Sequence, residues 1–122
     1  MIRVLLVEDN QIYRSAFREN LCRHFPSMRI EEAENGEEAL QKIYLCSFHL
    51  IFMDIRLPGE NGFQLTQRIK KDFPETRIAL LTGYDFPEYR EAALQNGADG
   101  FFTKETLKWE EIEALVESIP AE

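Results

Sequence analysis

The chain is poor in cysteine and has no long hydrophobic run. Its two cysteines, Cys22 and Cys46, are too far apart to form a Cys-x-x-Cys pair. No stretch approaches the roughly 18 apolar residues that a transmembrane helix needs, and no secretory signal pattern is present. We therefore expect a cytoplasmic protein without membrane association, whose two cysteines are reduced and packed.

Basic residues are also in the minority. Lysine and arginine number 14 against 22 aspartates and glutamates, so the net charge is −8 at pH 7. A domain of this charge lacks the broad basic face that nucleic-acid binding requires, and we expect no direct contact with DNA or RNA. The acidic excess is equally compatible with a well-solvated surface and with clustered carboxylates that bind a cation.

Several functional motifs are missing as well. Neither G-x-G-x-x-G nor a glycine-rich P-loop occurs, which argues against a flavin- or nucleotide-binding module. His24 and His49 fall at a predicted helix end and a predicted strand start, so neither is placed as a general base. Repeats, low-complexity tracts and linkers are absent. At this length we expect a single domain, residues 1–122, with one continuous core.

The chain does contain a regular alternation of apolar runs and amphipathic segments. Between the runs, apolar residues recur at helical spacing, as in Tyr13, Phe17 and Leu21, and Asn10 is suited to cap that helix. The alternation predicts an α/β fold, a doubly wound five-stranded parallel sheet with helices on both faces. The predicted strands are residues 2–7, 28–33, 49–54, 77–82 and 100–103.

The predicted fourth helix has the thinnest apolar side. Pro87 suits its first turn, and Gly97 is typical of the position just past a helix end. Its inward-facing candidates are mainly Ala92, Ala93 and Leu94. We therefore expect this helix to be loosely held and to move at low cost.

Polar residues end four of the predicted strands. Glu8 and Asp9 follow the first strand, Asp54 ends the apolar third strand, Thr82 ends the fourth and Lys104 follows the fifth. Each alone is explained by an ordinary loop, cap or surface charge, but in a doubly wound sheet these ends converge on one crevice. Two carboxylates about 4 Å apart repel by about 4 kcal/mol at an effective dielectric constant of about 20. One lysine cannot neutralise three acids, which predicts a Mg²⁺ site with open coordination positions.

This set of groups is suited to phosphoryl transfer. An aspartate can attack phosphorus and form an aspartyl-phosphate. Mg²⁺, the Lys104 ammonium and the Thr82 hydroxyl would then stabilise charge on the phosphoryl oxygens.

Four segments together resemble the receiver domain of bacterial two-component response regulators, over nearly the full length of the chain. The resemblance implies a flavodoxin-like (βα)5 fold with strand order 2-1-3-4-5. Any one segment alone is a weak match, whereas all of them in this order are highly specific. The matching segments are residues 7–10, 53–62, 81–83 and 97–104.

The resemblance implies a role for each acidic residue. Asp54 would be the phosphoacceptor, receiving a phosphoryl group from a histidine of a sensor kinase or phosphotransfer protein. Asp9, Asp54 and the backbone carbonyl of Arg56 would bind Mg²⁺, and Glu8 would contribute through water or at longer reach. The chain would be no enzyme beyond catalysing its own phosphorylation and dephosphorylation.

The resemblance also implies a switch. Lys104 would pair with Asp54 and then with the phosphoryl oxygens, Thr82 would swing inward, and Phe101 would fill the vacated space. The fourth helix, fifth strand and fifth helix would then control a partner, a homodimer contact or an output domain such as a transcriptional regulator. The domain either acts alone by docking a partner or belongs to a longer regulator.

Two positions depart from the commoner pattern of the family. Glu105 stands where many members have a proline with a cis bond, and Phe101 stands where tyrosine is commoner.

Large side chains at Arg56 and Tyr84 are hypothesised to slow loss of the phosphoryl group. Tyr84, Phe86 and Tyr89 form either a partner surface or a cover for the sheet edge.

Two alternatives from other classes are disfavoured. A haloacid dehalogenase-type phosphatase has its nucleophile after the first strand and a second aspartate two residues on, whereas Arg56 follows Asp54 at that spacing. An interaction module without phosphorylation would not need the intact set of Asp9, Asp54, Thr82 and Lys104.

Overall fold

Five strands of four to six residues, all but the more polar β2 mainly apolar, form a parallel sheet in the computed structural model, which describes residues 1–120. Its strand order is β2-β1-β3-β4-β5, and all neighbouring strands are parallel. The predicted sheet and strand order are confirmed, while the predicted domain end at Glu122 lies outside the described residues. The strands are β1 (Arg3–Val7), β2 (Arg29–Ala33), β3 (Leu50–Asp54), β4 (Arg77–Thr82) and β5 (Gly100–Thr103).

In the described part of the chain one helix follows each strand, and these five helices cover both faces of the sheet. Side chains alternate along the central strand β3, so Leu50 and Phe52 pack beneath α1 and α5, while Ile51 and Met53 pack beneath α2, α3 and α4. No helix within residues 1–120 is long and apolar enough to cross a membrane. The helices are α1 (Gln11–His24), α2 (Gly36–Leu45), α3 (Gly62–Asp72), α4 (Pro87–Gln95) and α5 (Trp109–Glu117).

Asparagine caps fix the start of three helices. The side chains of Asn10, Asn35 and Asn61 each accept a backbone N–H from the first turn of α1, α2 and α3. Each cap satisfies a donor that a helix start would otherwise leave unpaired. Because α1 follows β1 and α3 follows the loop after β3, two of these caps border the edge where the predicted site lies.

Helix α4 packs on the sheet through fewer of its apolar residues than predicted. It has no side-chain cap and starts at Pro87, and Gly97 follows its end with φ of 90°. Ala93 is buried and Ala92 is partly buried, whereas Leu94 is 76% exposed. The prediction that Leu94 faces inward was wrong, because the helical turn of 100° per residue carries the position after Ala93 away from the sheet.

Both cysteines are free, but neither is packed. Cys22 and Cys46 are exposed, so their predicted burial was wrong. Cys22 follows the buried Leu21 on α1 and is rotated out of the core by the helical period. Cys46 is the residue that ends α2, where the chain has already left the core.

Candidate functional site

Three carboxylates meet where β1 and β3 end. Glu8, Asp9 and Asp54 each offer an oxygen that lies within 4.8 Å of the others. Glu8 is fully buried, Asp54 is nearly so, and Asp9 is exposed to solvent. The structure thus brings together the acids that the sequence predicted, two of them at sites where an isolated charge is costly.

Lys104 connects two of these acids. Its Nζ donates to Glu8 Oε1 at 2.5 Å and to Asp54 Oδ2 at 3.0 Å. Burial opposes the Lys104 ammonium, but the hydrogen bond to Glu8 and the charge of Asp54 outweigh it and raise the pKa of Lys104. Burial also raises the pKa of Glu8 to about 7, although hydrogen bonds from Lys104 and from the Asn10 backbone oppose that rise. The sequence had predicted the contact of Lys104 with Asp54 but not its contact with Glu8.

The donor set of this cluster fits a hard divalent cation. One ammonium leaves a net negative charge on three adjacent carboxylates, and Mg²⁺ favours carboxylate oxygens while keeping positions for water or phosphate. The Arg56 backbone N–H donates to Asp54 Oδ1 at 3.1 Å, so Arg56 begins the loop directly beside the acid. A cleft of about 380 Å³ opens here, lined by Asp54, Arg56, Thr82, Gly83, Tyr84, Lys104 and Glu105.

A larger cavity lies at the opposite end of the sheet. It measures about 840 Å³ and is bordered by Phe48, Phe73 and Ile119, near the starts of β3 and β4. Neither the acidic cluster nor Lys104 lines this cavity, so the cavity has no part in the chemistry described above.

Thr82 and Phe101 lie on one face of neighbouring strands. Phe101 pairs with Leu80, two residues before Thr82, so both side chains project to the same side of the sheet. Thr82 is buried, and its hydroxyl oxygen accepts the Tyr84 backbone N–H at 3.1 Å. Phe101 is partly buried beneath Arg90, whose guanidinium carbon is 4.8 Å from the ring centroid.

The loop after β3 is held by a close approach of α3. Gly62 N–H donates to the Ile55 carbonyl at 2.7 Å, and a Cβ at Gly62 would lie 2.6 Å from the Asp54 carbonyl oxygen. Only glycine therefore fits here without displacement of the backbone that carries Asp54.

The peptide bond between Lys104 and Glu105 is trans, because no peptide bond in residues 1–120 is cis.

Arg14 supports the acidic loop, a role that sequence reasoning missed. This buried residue donates from Nη1 to the Glu8 carbonyl at 2.6 Å and from Nε to Glu32 at 2.8 Å. The sequence does indicate that Arg14 is buried, because it precedes the buried Phe17 and Leu21 by three and seven residues and so lies on the same face of the helix. A charged residue in the inward-facing set of a helix indicates a buried ionic or polar partner.

Aromatic and cationic side chains border the cleft. The guanidinium carbon of Arg56 lies 4.4 Å from the Tyr84 ring centroid, and Arg56 Nη2 contacts the Tyr89 hydroxyl at 3.3 Å. Tyr84 stacks on Phe86, and these two rings remain 45% and 44% exposed. Arg56 and Tyr84 thus lie together at the rim of the site.

Comparisons with known proteins agree with this architecture. The family model for the response regulator receiver domain matches residues 4–117. The oxygen regulatory protein NreC of Staphylococcus haemolyticus is 34% identical over 104 residues, which cover 84% of this chain and 48% of that protein. The chain therefore spans about half the length of the curated relatives it matches.

Solved structures give the same assignment. The response regulator protein TrrA of Thermotoga maritima, in complex with Mg(2+)-BeF, is 32% identical with a TM-score of 0.82, covering 96% of this chain and 97% of that one. A CheY-like receiver domain protein of Methanospirillum hungatei is 28% identical with a TM-score of 0.84, covering 96% and 92%. This chain belongs to the response regulator receiver domain family, which signals through phosphorylation in two-component systems.

Proposed function

We propose that Asp54 accepts a phosphoryl group from a phosphohistidine of a sensor kinase or phosphotransfer protein. A carboxylate oxygen of Asp54 forms the new bond to phosphorus, the phosphorus–nitrogen bond breaks, and its electron pair returns to the imidazole. The observation that carries this proposal is the position of the Lys104 ammonium, 3.0 Å from Asp54 Oδ2 and also bound to Glu8. A cation at that distance is suited to stabilise charge on a phosphoryl group attached there.

Mg²⁺ is the cofactor that this site would hold. Asp9, Asp54 and the carbonyl of Arg56 would bind it, with Glu8 acting through water. When bound, the ion would neutralise the carboxylates and the transferring phosphoryl oxygens. Support comes from the three converging carboxylates, and from the TrrA structure, which contains Mg(2+)-BeF.

Thr82, at the end of the neighbouring strand β4, supplies a hydroxyl donor next to Asp54. Its oxygen accepts the Tyr84 N–H, which leaves the hydroxyl proton available for a phosphoryl oxygen. When Thr82 turns toward that group, the space it leaves on this face of the sheet becomes available to Phe101. Phe101 has no hydroxyl, so its switch rests on packing alone.

The surface that changes when Thr82 and Phe101 move consists of α4, β5 and α5. Helix α4 has no side-chain cap and buries only Ala93, so its displacement costs little. Arg90 of α4 already covers the Phe101 ring, which couples a movement of that ring to the helix. This surface would control a partner, a homodimer contact or an output domain.

The test is phosphorylation with a small donor. The protein is incubated with Mg²⁺ and acetyl phosphate, and intact mass is measured for one added phosphoryl group. We expect the adduct in the unsubstituted protein and in Asp72→Asn, a control at an exposed carboxylate of α3, but not in Asp54→Asn. No adduct in the unsubstituted protein, or an undiminished adduct in Asp54→Asn, would reject the proposal.

A further inference from the structure

We propose that Tyr13 is a positioning residue for Lys104, and that its aromatic face holds the ammonium over Asp54. This inference rests on the function proposed above for Lys104. The Nζ atom lies 4.5 Å from the centroid of the Tyr13 ring while it donates to Glu8 and Asp54. The face of an aromatic ring attracts a cation at this distance. The ammonium is therefore held from three directions, by two carboxylates and one ring.

The Tyr13 ring is itself fixed by other rings. It stacks on Phe17 at a centroid distance of 5.9 Å with an interplanar angle of 12°. Phe17 in turn stacks on Trp109 of α5 at 5.6 Å and meets Phe52 of β3 edge-on at 5.1 Å. The contacts tie Tyr13 to two other elements of the fold, so the ring is a stable support for a flexible lysine.

The hydroxyl of Tyr13 does not explain why an aromatic residue stands here. Its oxygen is buried and has no hydrogen-bond partner in the part of the chain that the structure describes. A buried hydroxyl without a hydrogen-bond partner loses its hydration on folding, so this group lowers the stability of the fold. The ring face toward Lys104 is the contact by which Tyr13 reaches the site.

The ring contact differs from the carboxylate contacts in one useful respect. When Asp54 becomes an acyl phosphate, the carboxylate that Lys104 contacts is replaced by a phosphoryl group with a different geometry. The attraction of the Tyr13 face does not depend on the state of Asp54. It therefore keeps the Lys104 ammonium close to the reacting atoms both before and after transfer, and it limits the rotamers available to a long side chain.

Three variants separate the ring from the volume it fills. Tyr13→Phe keeps the ring, whereas Tyr13→Leu and Tyr13→Met fill the site without one. At saturating Mg²⁺, we expect the rate of phosphorylation by acetyl phosphate to fall about 2- to 30-fold in the variants without a ring, and Tyr13→Phe to recover most of the rate. Tyr44→Leu, at an exposed tyrosine of α2, is the matched control and should leave the rate unchanged.

An NMR readout detects the contact without any phosphorylation. A ring face shields the nuclei above it, so the Lys104 ε-methylene protons should move downfield in Tyr13→Leu and Tyr13→Met and stay near their original shift in Tyr13→Phe. Equal rates and equal Lys104 shifts in the Phe, Leu and Met variants would overturn the inference. Should the unsubstituted protein not be phosphorylated, the proposed function fails, and the Lys104 shifts alone still decide whether Tyr13 holds the ammonium.

Discussion

Lys104 Nζ lies 2.5 Å from Glu8 Oε1, although the two residues are 96 positions apart in the sequence. The ion pair joins the end of β1 to the residue after β5, across the ends of β3 and β4 that lie between them in the sheet. Asp54 and Thr82 stand at those two intervening ends. Glu8 and Asp54 therefore both fix the position of the Lys104 ammonium.

The first prediction concerns pH and Glu8. Burial raises the pKa of Glu8 from an ordinary 4.5 to about 7. A carboxyl group with a higher pKa in the folded chain binds more protons when folded, so its contribution to stability is complete below about pH 4.5 and is lost as pH rises to about 7. Without Mg²⁺, the protein should lose up to about 3 kcal/mol of unfolding free energy relative to Glu8→Gln across that range.

Urea unfolding at a series of pH values measures this difference. Glu19→Gln, at an exposed glutamate of α1, is the control and should follow the unsubstituted protein at every pH. A difference between the protein and Glu8→Gln that stays constant from pH 4.5 to 7.5 would contradict the prediction.

A second prediction concerns Gly62. Alanine at this position would place Cβ 2.6 Å from the Asp54 carbonyl oxygen and 2.8 Å from the Ile55 Cα, both of them backbone atoms. We expect Gly62→Ala to lower the unfolding free energy by about 1–3 kcal/mol and to slow phosphorylation, because the strand end that carries Asp54 must shift. Gly83→Ala is the control for the stability measurement, since a Cβ there meets no atom within 4 Å. Equal stability of the two variants would show that the contact is easily relieved.

Arg14 gives a third prediction. Arg14→Met keeps the length of the side chain but removes the guanidinium that binds the Glu8 carbonyl and Glu32. We expect a loss of about 1–3 kcal/mol in thermal or urea unfolding, together with weaker Mg²⁺ binding by calorimetry, because the loop of Glu8 and Asp9 loses its support. Arg18→Met removes a 42% exposed partner of the same Glu32 and should cost less than about 1 kcal/mol. A larger loss in the Arg18 variant would refute this assignment.

A fourth prediction concerns the lifetime of the phosphorylated state. Arg56 and Tyr84 stack at the rim of the cleft, where they would hinder the approach of water to an acyl phosphate on Asp54. The double variant Arg56→Ala with Tyr84→Ala should lose the phosphoryl group several-fold faster, followed by intact mass after removal of the donor. The control is Arg23→Ala with Tyr44→Ala, an exposed pair of the same residue types elsewhere. An unchanged rate of hydrolysis in the first pair would sink the hypothesis.

Much of the fold and the outline of the site follow from local patterns. Strand β3 shows as an apolar run, and Asn10 precedes its helix as a cap. The placement of Asp54 and Lys104 at one edge follows from parallel topology alone, because every strand of such a sheet ends on the same side. These features depend on neighbours in sequence or on a general rule of topology.

The features that sequence reasoning missed depend on side-chain geometry between distant segments. The ring contact between Tyr13 and Lys104 joins residues at opposite ends of the chain, and no local spacing encodes it. The exposure of Leu94 depends on which narrow stripe of α4 meets the sheet, and three consecutive apolar residues do not specify that stripe. Arg14 could have been inferred from its position among inward-facing residues, but its partner could not.

If Asp54 carries the phosphoryl group, the modified residue can be located in the chain by chemical trapping. After reaction with Mg²⁺ and acetyl phosphate, borohydride reduces an aspartyl-phosphate to homoserine, which tandem mass spectrometry assigns to a position in the chain. We expect homoserine at position 54 and at no other aspartate position. Homoserine at Asp9 or elsewhere, or its formation to the same extent without the donor, would contradict it.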